Sequence, residues 1–193
     1  YSVSIATPSA PVLLDLSPLE LGSDVTKMTL APNSQYLYVV SPGNSLELSV
    51  ILVSDPSYLA LTSSFDASGG SDGTAVAAFS TYAIVGRGDG TVMVIDATVP
   101  TSLTKVSPVT DLDLGSQVDD LVMGVGDMYA FAATRTASTP TMVVDVAAPL
   151  TPTVLGSVTQ TGDARGIAWN FDLNRAVVVG TDNSAEVAVL QPN

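Results

Sequence analysis

The stretch Tyr36-Leu37-Tyr38-Val39-Val40 returns as Tyr82-Ala83-Ile84-Val85-Gly86, Tyr129-Ala130-Phe131-Ala132-Ala133 and Arg175-Ala176-Val177-Val178-Val179-Gly180. The starting positions 36, 82, 129 and 175 lie 46, 47 and 46 residues apart. A second set of runs closes each unit: SVILVSD ending at Asp55, VMVID ending at Asp96, MVVDV ending at Val146 and VAVLQ ending at Gln191. A further copy, YSVSIAT, opens the chain at Tyr1. Between these runs, Gly, Pro, Asn, Asp and Ser punctuate segments of four to eight residues rich in Val, Ile, Thr and Tyr, and helical periodicity is missing. The chain reads as all-β. Repeats of roughly 40 to 50 residues built only of short strands predict a β-propeller, each repeat one four-stranded antiparallel blade.

Four strands are assigned per unit. Unit one takes Val25 to Ala31, Tyr36 to Ser41, Leu46 to Val53 and Tyr58 to Phe65; unit two takes Thr74 to Phe79, Tyr82 to Gly86, Thr91 to Ala97 and Leu103 to Leu112. Unit three takes Val118 to Val125, Met128 to Thr134, Thr141 to Val146 and Thr153 to Thr159, and unit four has Arg165 to Asn170, Arg175 to Thr181 and Glu186 to Leu190. Pro32-Asn33-Ser34, Gly126-Asp127, Asp89-Gly90 and Asp182-Asn183 supply the hairpin turns. The repeat boundaries run approximately 1–17 (partial), 18–65, 66–112, 113–159 and 160–193, within a single propeller domain or segment. Second strands such as Ala176 to Val179 are apolar on both faces and are expected to lie between neighbouring blades. The small residues Ala77, Ala78, Ala132, Ala133 and Ala168 fit where inner strands converge.

Tyr1 to Ile5 and Glu186 to Leu190 are copies of the same third strand. With Pro11 to Ser17 as a fourth strand, seventeen strands run from third to third, whereas a closed ring of four blades needs sixteen. The favoured explanation is about four and a quarter blades from a ring of six to eight. The rival is a small propeller whose first strand pairs with another subunit. The chain begins with Tyr1 rather than Met, which fits a removed leader or an excerpt of a longer polypeptide.

Composition narrows the chemistry. The 193 residues contain no Cys and no His, which removes thiolate and imidazole metal sites and the commonest general base from this stretch. Six basic against nineteen acidic residues give a formal charge of −13, a field that repels nucleic acid. The longest apolar runs fall well short of a membrane span. A surface of Thr, Ser, Asp, Asn and Gly points to an extracellular, cell-surface or periplasmic setting.

The passages TVMVIDATVPTSLTKV and TMVVDVAAPLTPTVLGSV resemble the LVIVD repeat of bacterial and archaeal surface propellers, and LAPNSQYLYVVSPGNS is similar to YVTN-type propellers. The resemblance implies a noncatalytic surface or scaffold module, and it brings no catalytic motif. Unit one departs from the phrase with LVSDPSYLALTSS, and unit four ends before its fourth strand.

Candidate sites are few. Arg87-Gly88-Asp89 is either an adhesion tripeptide or a turn, and Asp89-Gly90 suits the turn. The pairs Asp111/Asp113 and Asp119/Asp120, and above all Asp66 and Asp72 in the DASGGSDGT loop, offer oxygens to calcium, although none has the spacing of a calcium loop. Arg165, at the entry to a first strand, suits either an anion or partner carboxylate, or an ion pair with Asp163. Trp169, Tyr36, Tyr82 and Tyr129 are read as packing. The expected function is a non-enzymatic interaction or structural module of an exported or cell-surface assembly. It would bind a protein partner or itself through edge strands, with Tyr1, Val3, Ile5 and Arg165 as contact residues. The alternative is a lactonase-like propeller hydrolase using a carboxylate-bound metal in the central channel.

Overall fold

A computed structural model describes residues 1–14, 18–43, 46–67, 69–106, 111–182 and 186–190. A short hairpin opens it, β1 (Val3–Ser4) pairing with β2 (Val12–Leu13). Blade 1 follows as β3 (Lys27–Leu30), β4 (Tyr36–Val40), β5 (Leu48–Leu52) and β6 (Ala60–Phe65). Blade 2 comprises β7 (Gly73–Phe79), β8 (Tyr82–Arg87), β9 (Thr91–Asp96), and then β10 (Thr104–Lys105) and β11 (Leu112–Asp113), both paired with β9. Blade 3 is β12 (Val118–Met123), β13 (Tyr129–Thr134), β14 (Thr141–Asp145) and β15 (Thr153–Val158). Blade 4 has three strands, β16 (Ala164–Asn170), β17 (Arg175–Gly180) and β18 (Val187–Leu190). All pairings are antiparallel and each sheet follows chain order. The chain is an all-β propeller of four-stranded blades, and its sheets form an arc that is not closed.

The repeat phase holds in every blade, while most strands are shorter than the sequence assignment and β7, β8 and β16 are each one residue longer. The expected continuous strand from Leu103 to Leu112 is instead split into β10 and β11, with residues 107–110 outside the described set. Of Pro11 to Ser17 only Val12–Leu13 is strand, and residues 15–17 lie outside the described set, as do Asn183 of the expected Asp182-Asn183 turn and Gln191. A register shift sits at the same point of three inner strands, between Gly73 and Ala75, Val118 and Asp120, and Ala164 and Gly166. Such a bulge re-aims the residues at the strand entry.

Three apolar clusters lie between successive blades. Tyr38, Val40, Leu48 and Val50 of blade 1 meet Val76, Ala83, Val85, Met93 and Ile95 of blade 2. Ala77, Ile84, Val92 and Val94 of blade 2 meet Leu121, Met123, Ala132 and Val144 of blade 3. Ala133 and the half-buried Phe131 of blade 3 meet Ile167, Trp169, Ala176 and Val178 of blade 4. Blades 2 and 3 therefore present one face to the blade before and the other to the blade after. Small residues set the approach: a Cβ on Gly86 would lie 2.6 Å from Val118 Cγ1 of the next blade. Ala77, Ala132 and Ala133 are buried as expected, but Ala168 is exposed, because nothing among the described residues packs on that face of blade 4. Trp169 stacks on Phe131 with ring centroids 4.7 Å apart, the interblade packing its position called for. Tyr36 and Tyr82 are only half-buried, and Tyr129 is exposed; the fully buried tyrosine is Tyr38, whose hydroxyl pKa is raised by burial and by Tyr36. No helix among the described residues is long and apolar enough to cross a membrane.

Candidate functional site

The inner-strand entries carry the densest charge. In blades 1 and 2 this position is a threonine that ties one blade to the next: the Thr26 hydroxyl donates to Gly73 O at 3.0 Å, and that of Thr74 to Val118 O at 2.6 Å. In blade 3 the position is Asp119, whose Oδ2 accepts from Arg135 Nε at 2.9 Å and from Arg165 Nη1 at 3.1 Å. Arg165 also donates through Nη2 to Asp163 Oδ2 at 2.9 Å. Its charge is thus divided between two carboxylates, one of them the Asp163 partner that sequence proximity suggested. The Asp119 hydrogen bond raises the Arg135 pKa above its ordinary value. Asp120, one residue on, faces elsewhere: Oδ2 accepts from Ile167 N of blade 4 at 3.0 Å, and Oδ1 lies 3.1 Å from Lys27 Nζ of blade 1. One side chain therefore links blades 1, 3 and 4. The adjacent pair Asp119/Asp120 is engaged by three cations, Lys27, Arg135 and Arg165.

The glycine-rich loop of blade 2 is organised around Arg87 and Glu47. Arg87 is 4% exposed, and its Nε and Nη2 both donate to Ser71 O at 3.2 Å. Glu47 is fully buried; its Oε2 accepts from Ala67 N at 2.7 Å, while Oε1 is buried with no hydrogen-bond partner. Asp66 is exposed and Asp72 half-buried, the latter giving its backbone carbonyl to Gly88 N. Among the described residues, no three acidic side chains converge in a way that would hold a metal ion. The burial of Glu47 was not visible in the sequence, where an acidic residue beside a strand reads as surface.

Arg87-Gly88-Asp89 is a turn. Asp89 Oδ1 accepts from Thr91 N at 3.0 Å and from Thr91 Oγ1 at 2.6 Å, and Gly90 takes a φ of +91°. Burial pushes the Asp89 carboxyl upward, but the Thr91 hydrogen bonds and the Arg87 charge outweigh it and hold it below its usual value. With the guanidinium buried, the tripeptide does not present its paired charges as an adhesion motif would.

The two ends of the arc are unlike its interior. At the start, Tyr1, Val3 and Ile5 are 69, 51 and 72% exposed, and β1 is held by two paired residues and by the Ser2 hydroxyl donating to Pro56 O. At the other end, β18 pairs only with β17, leaving its outer edge bare among the described residues. Gly180 N donates to Glu186 O, so the alternation of an antiparallel ladder turns the backbone groups of Val187 and Val189 outward. Sequence reasoning placed Glu186 to Leu190 among the edge strands and missed the sheet face beside it. Open grooves also line the surface of the described residues. One of about 310 Å³ lies between Tyr36 and Pro100, one of about 520 Å³ between Tyr82 and Pro149, and one of about 340 Å³ against Asp163 and Ala188.

No family model matches the chain, and no curated protein does. Solved structures do. The chain superposes on Kuenenia stuttgartiensis hydrazine synthase with a TM-score of 0.66 at 13% identity, over 90% of this chain and 49% of that one. It superposes on a chain of the mitotic checkpoint complex with a TM-score of 0.67 at 11% identity, over 91% and 49%. The computationally designed Ika4 protein matches with a TM-score of 0.66 at 15% identity, over 93% of this chain and 98% of that one. The chain thus spans about half the length of the first two and nearly all of the third. At these identities the likeness concerns the fold alone, and it places this chain among propeller-like all-β proteins.

Proposed function

We propose that this chain is a non-enzymatic interaction or structural module of an exported or cell-surface assembly, of the LVIVD or YVTN type of propeller. The observation that carries the reading is the bare edge of β18, beside the exposed side chains of Val187 and Val189. An unpaired strand edge is a template for a strand from another chain. Elsewhere the charged side chains that would serve catalysis are tied to one another, Asp119 and Asp120 by Lys27, Arg135 and Arg165.

The test is a labelled synthetic peptide carrying the Ala60–Phe65 strand, titrated with dilute chain and followed by fluorescence anisotropy. Saturable binding is expected, and Val187→Pro removes it by deleting an outward N–H at a place where an edge strand tolerates proline. No binding by a chain whose native mass equals its denatured mass would sink the reading.

Calcium is a second reading, favoured by the partnerless, buried Oε1 of Glu47 at the head of the Asp66 to Asp72 loop. Calcium is then expected to raise the Tm of the wild type and to leave Glu47→Gln unchanged. A wild-type Tm indifferent to calcium and to chelator removes this reading.

A further inference from the structure

The register fixes which positions of the blades correspond. Val40, Gly86, Ala133 and Val179 share one repeat position, and their partners Leu48, Val92, Thr141 and Val187 share another. Val50, Val94 and Val189 share a third. In blade 1, Val40, Leu48 and Val50 are all 0% exposed under blade 2; in blade 4, Val179, Val187 and Val189 are 44, 63 and 58% exposed. The blade-to-blade interface that the chain makes three times is laid out a fourth time, with nothing on it among the described residues.

Blade 1 carries the other half of that interface. Where blade 2 inserts Val76, Ala83, Val85 and Ile95, blade 1 has Met28, Leu37, Val39 and Ile51. All four are apolar; Met28 is 66% and its neighbour Leu30 50% exposed, Leu37 is half-buried, and Val39 and Ile51, at 2 and 6%, are already covered in the single chain. The connectivity fits as well. The fourth strand of a blade leads directly into the first strand of the next, as β6 leads into β7 and β15 into β16. β2 is a fourth-strand copy that leads into β3 in the same way. A second copy that lends β2 to the bare edge of β18 therefore carries its blade 1 onto the open face. β18 then takes the place of β1, another third-strand copy, which holds β2 by only two paired residues.

Resting on the edge-pairing reading above, we propose that two copies of this chain close head to tail into one ring of eight blades, each copy's blade 4 covered by blade 1 of the other. The contact is heterologous, so it must close or polymerise. Two copies of a four-bladed arc stay within the four to eight blades typical of propellers, and three would exceed it.

The test compares the mass of the purified chain under denaturing and native conditions. A denatured mass of 19.7 kDa with a native mass twice that is expected, and Val187→Glu with Val189→Glu returns the native mass to a single copy. Leu155→Glu, on the exposed outer strand β15, leaves it doubled. Since the chain has no cysteine, Leu13→Cys combined with Leu190→Cys, the residue that stands in β18 where Ile95 faces Lys105 in blade 2, gives an independent reading. Mild oxidation is expected to give covalent dimers, whereas a link within one chain would overturn the ring. A denatured mass well above 19.7 kDa with an equal native mass would also overturn it, the missing blades then belonging to the same polypeptide. A single-copy native mass with the β6 peptide still bound overturns the ring and keeps the edge-pairing function; a single copy that binds no peptide overturns both.

Discussion

Asp119 and Asp120 are sequence neighbours with separate tasks, because the bulge between Val118 and Asp120 aims one at Arg135 and Arg165 and the other at Lys27 and Ile167. Asp120→Ala is expected to lower unfolding stability by about 1 to 3 kcal/mol, the range for deleting a partner of a charged, partly buried hydrogen bond. Urea denaturation measures it, and an unchanged midpoint would contradict the interblade role. Gly86→Val should cost a similar amount, about 1 to 3 kcal/mol, because its side chain enters the space of Val118. Asp89 gives a pH signature. Its folded pKa is depressed, so the stability it contributes is present above the usual aspartate pKa and is lost as the pH falls through the depressed one. The stability gap between wild type and Asp89→Ala is therefore expected to be full at neutral pH and to close in acid; a gap that widened in acid would refute the assignment.

The strands were legible because each repeat states the same alternation, and four copies of a phrase outweigh the ambiguity of any one. Ala83-Ile84-Val85 is a short apolar run that alone could sit in a helix; in phase with Tyr36 and Tyr129 it becomes a second strand. That β10 and β11 meet β9 as two separate pairings, Thr104 opposite Asp96 and Leu112 opposite Val92, was not legible in the sequence. Nor was the burial of Glu47 or Arg87, because a charge goes inside only where three-dimensional neighbours such as Ala67 N and Ser71 O receive it. Open edges were legible from strand counting, whereas the exposed face of blade 4 required the register. Trp169→Ala removes the stack on Phe131 that seats blade 4 on blade 3. Hydrogen exchange should then accelerate in β16 to β18 more than in β7 to β9, and uniform acceleration would contradict a seating role.

At the scale of the molecule, a chain of charge −13 repels its own copy, and the ring has to overcome that repulsion through apolar contact. Salt screens the charge and leaves the valine face intact, so raising the ionic strength is expected to favour the two-copy species in sedimentation. Dissociation by salt would point to a polar contact elsewhere. The claim on which the account turns is that blade 4 offers an unfilled blade interface with a bare β18 edge. Amide hydrogen exchange at Val187 and Val189, read over a range of chain concentration, tests it most directly. Fast exchange in dilute solution and protection as the ring forms are predicted, with Val50 and Val94 protected throughout. Protection of Val187 and Val189 in the isolated single copy, or fast exchange in a species of doubled mass, would contradict it.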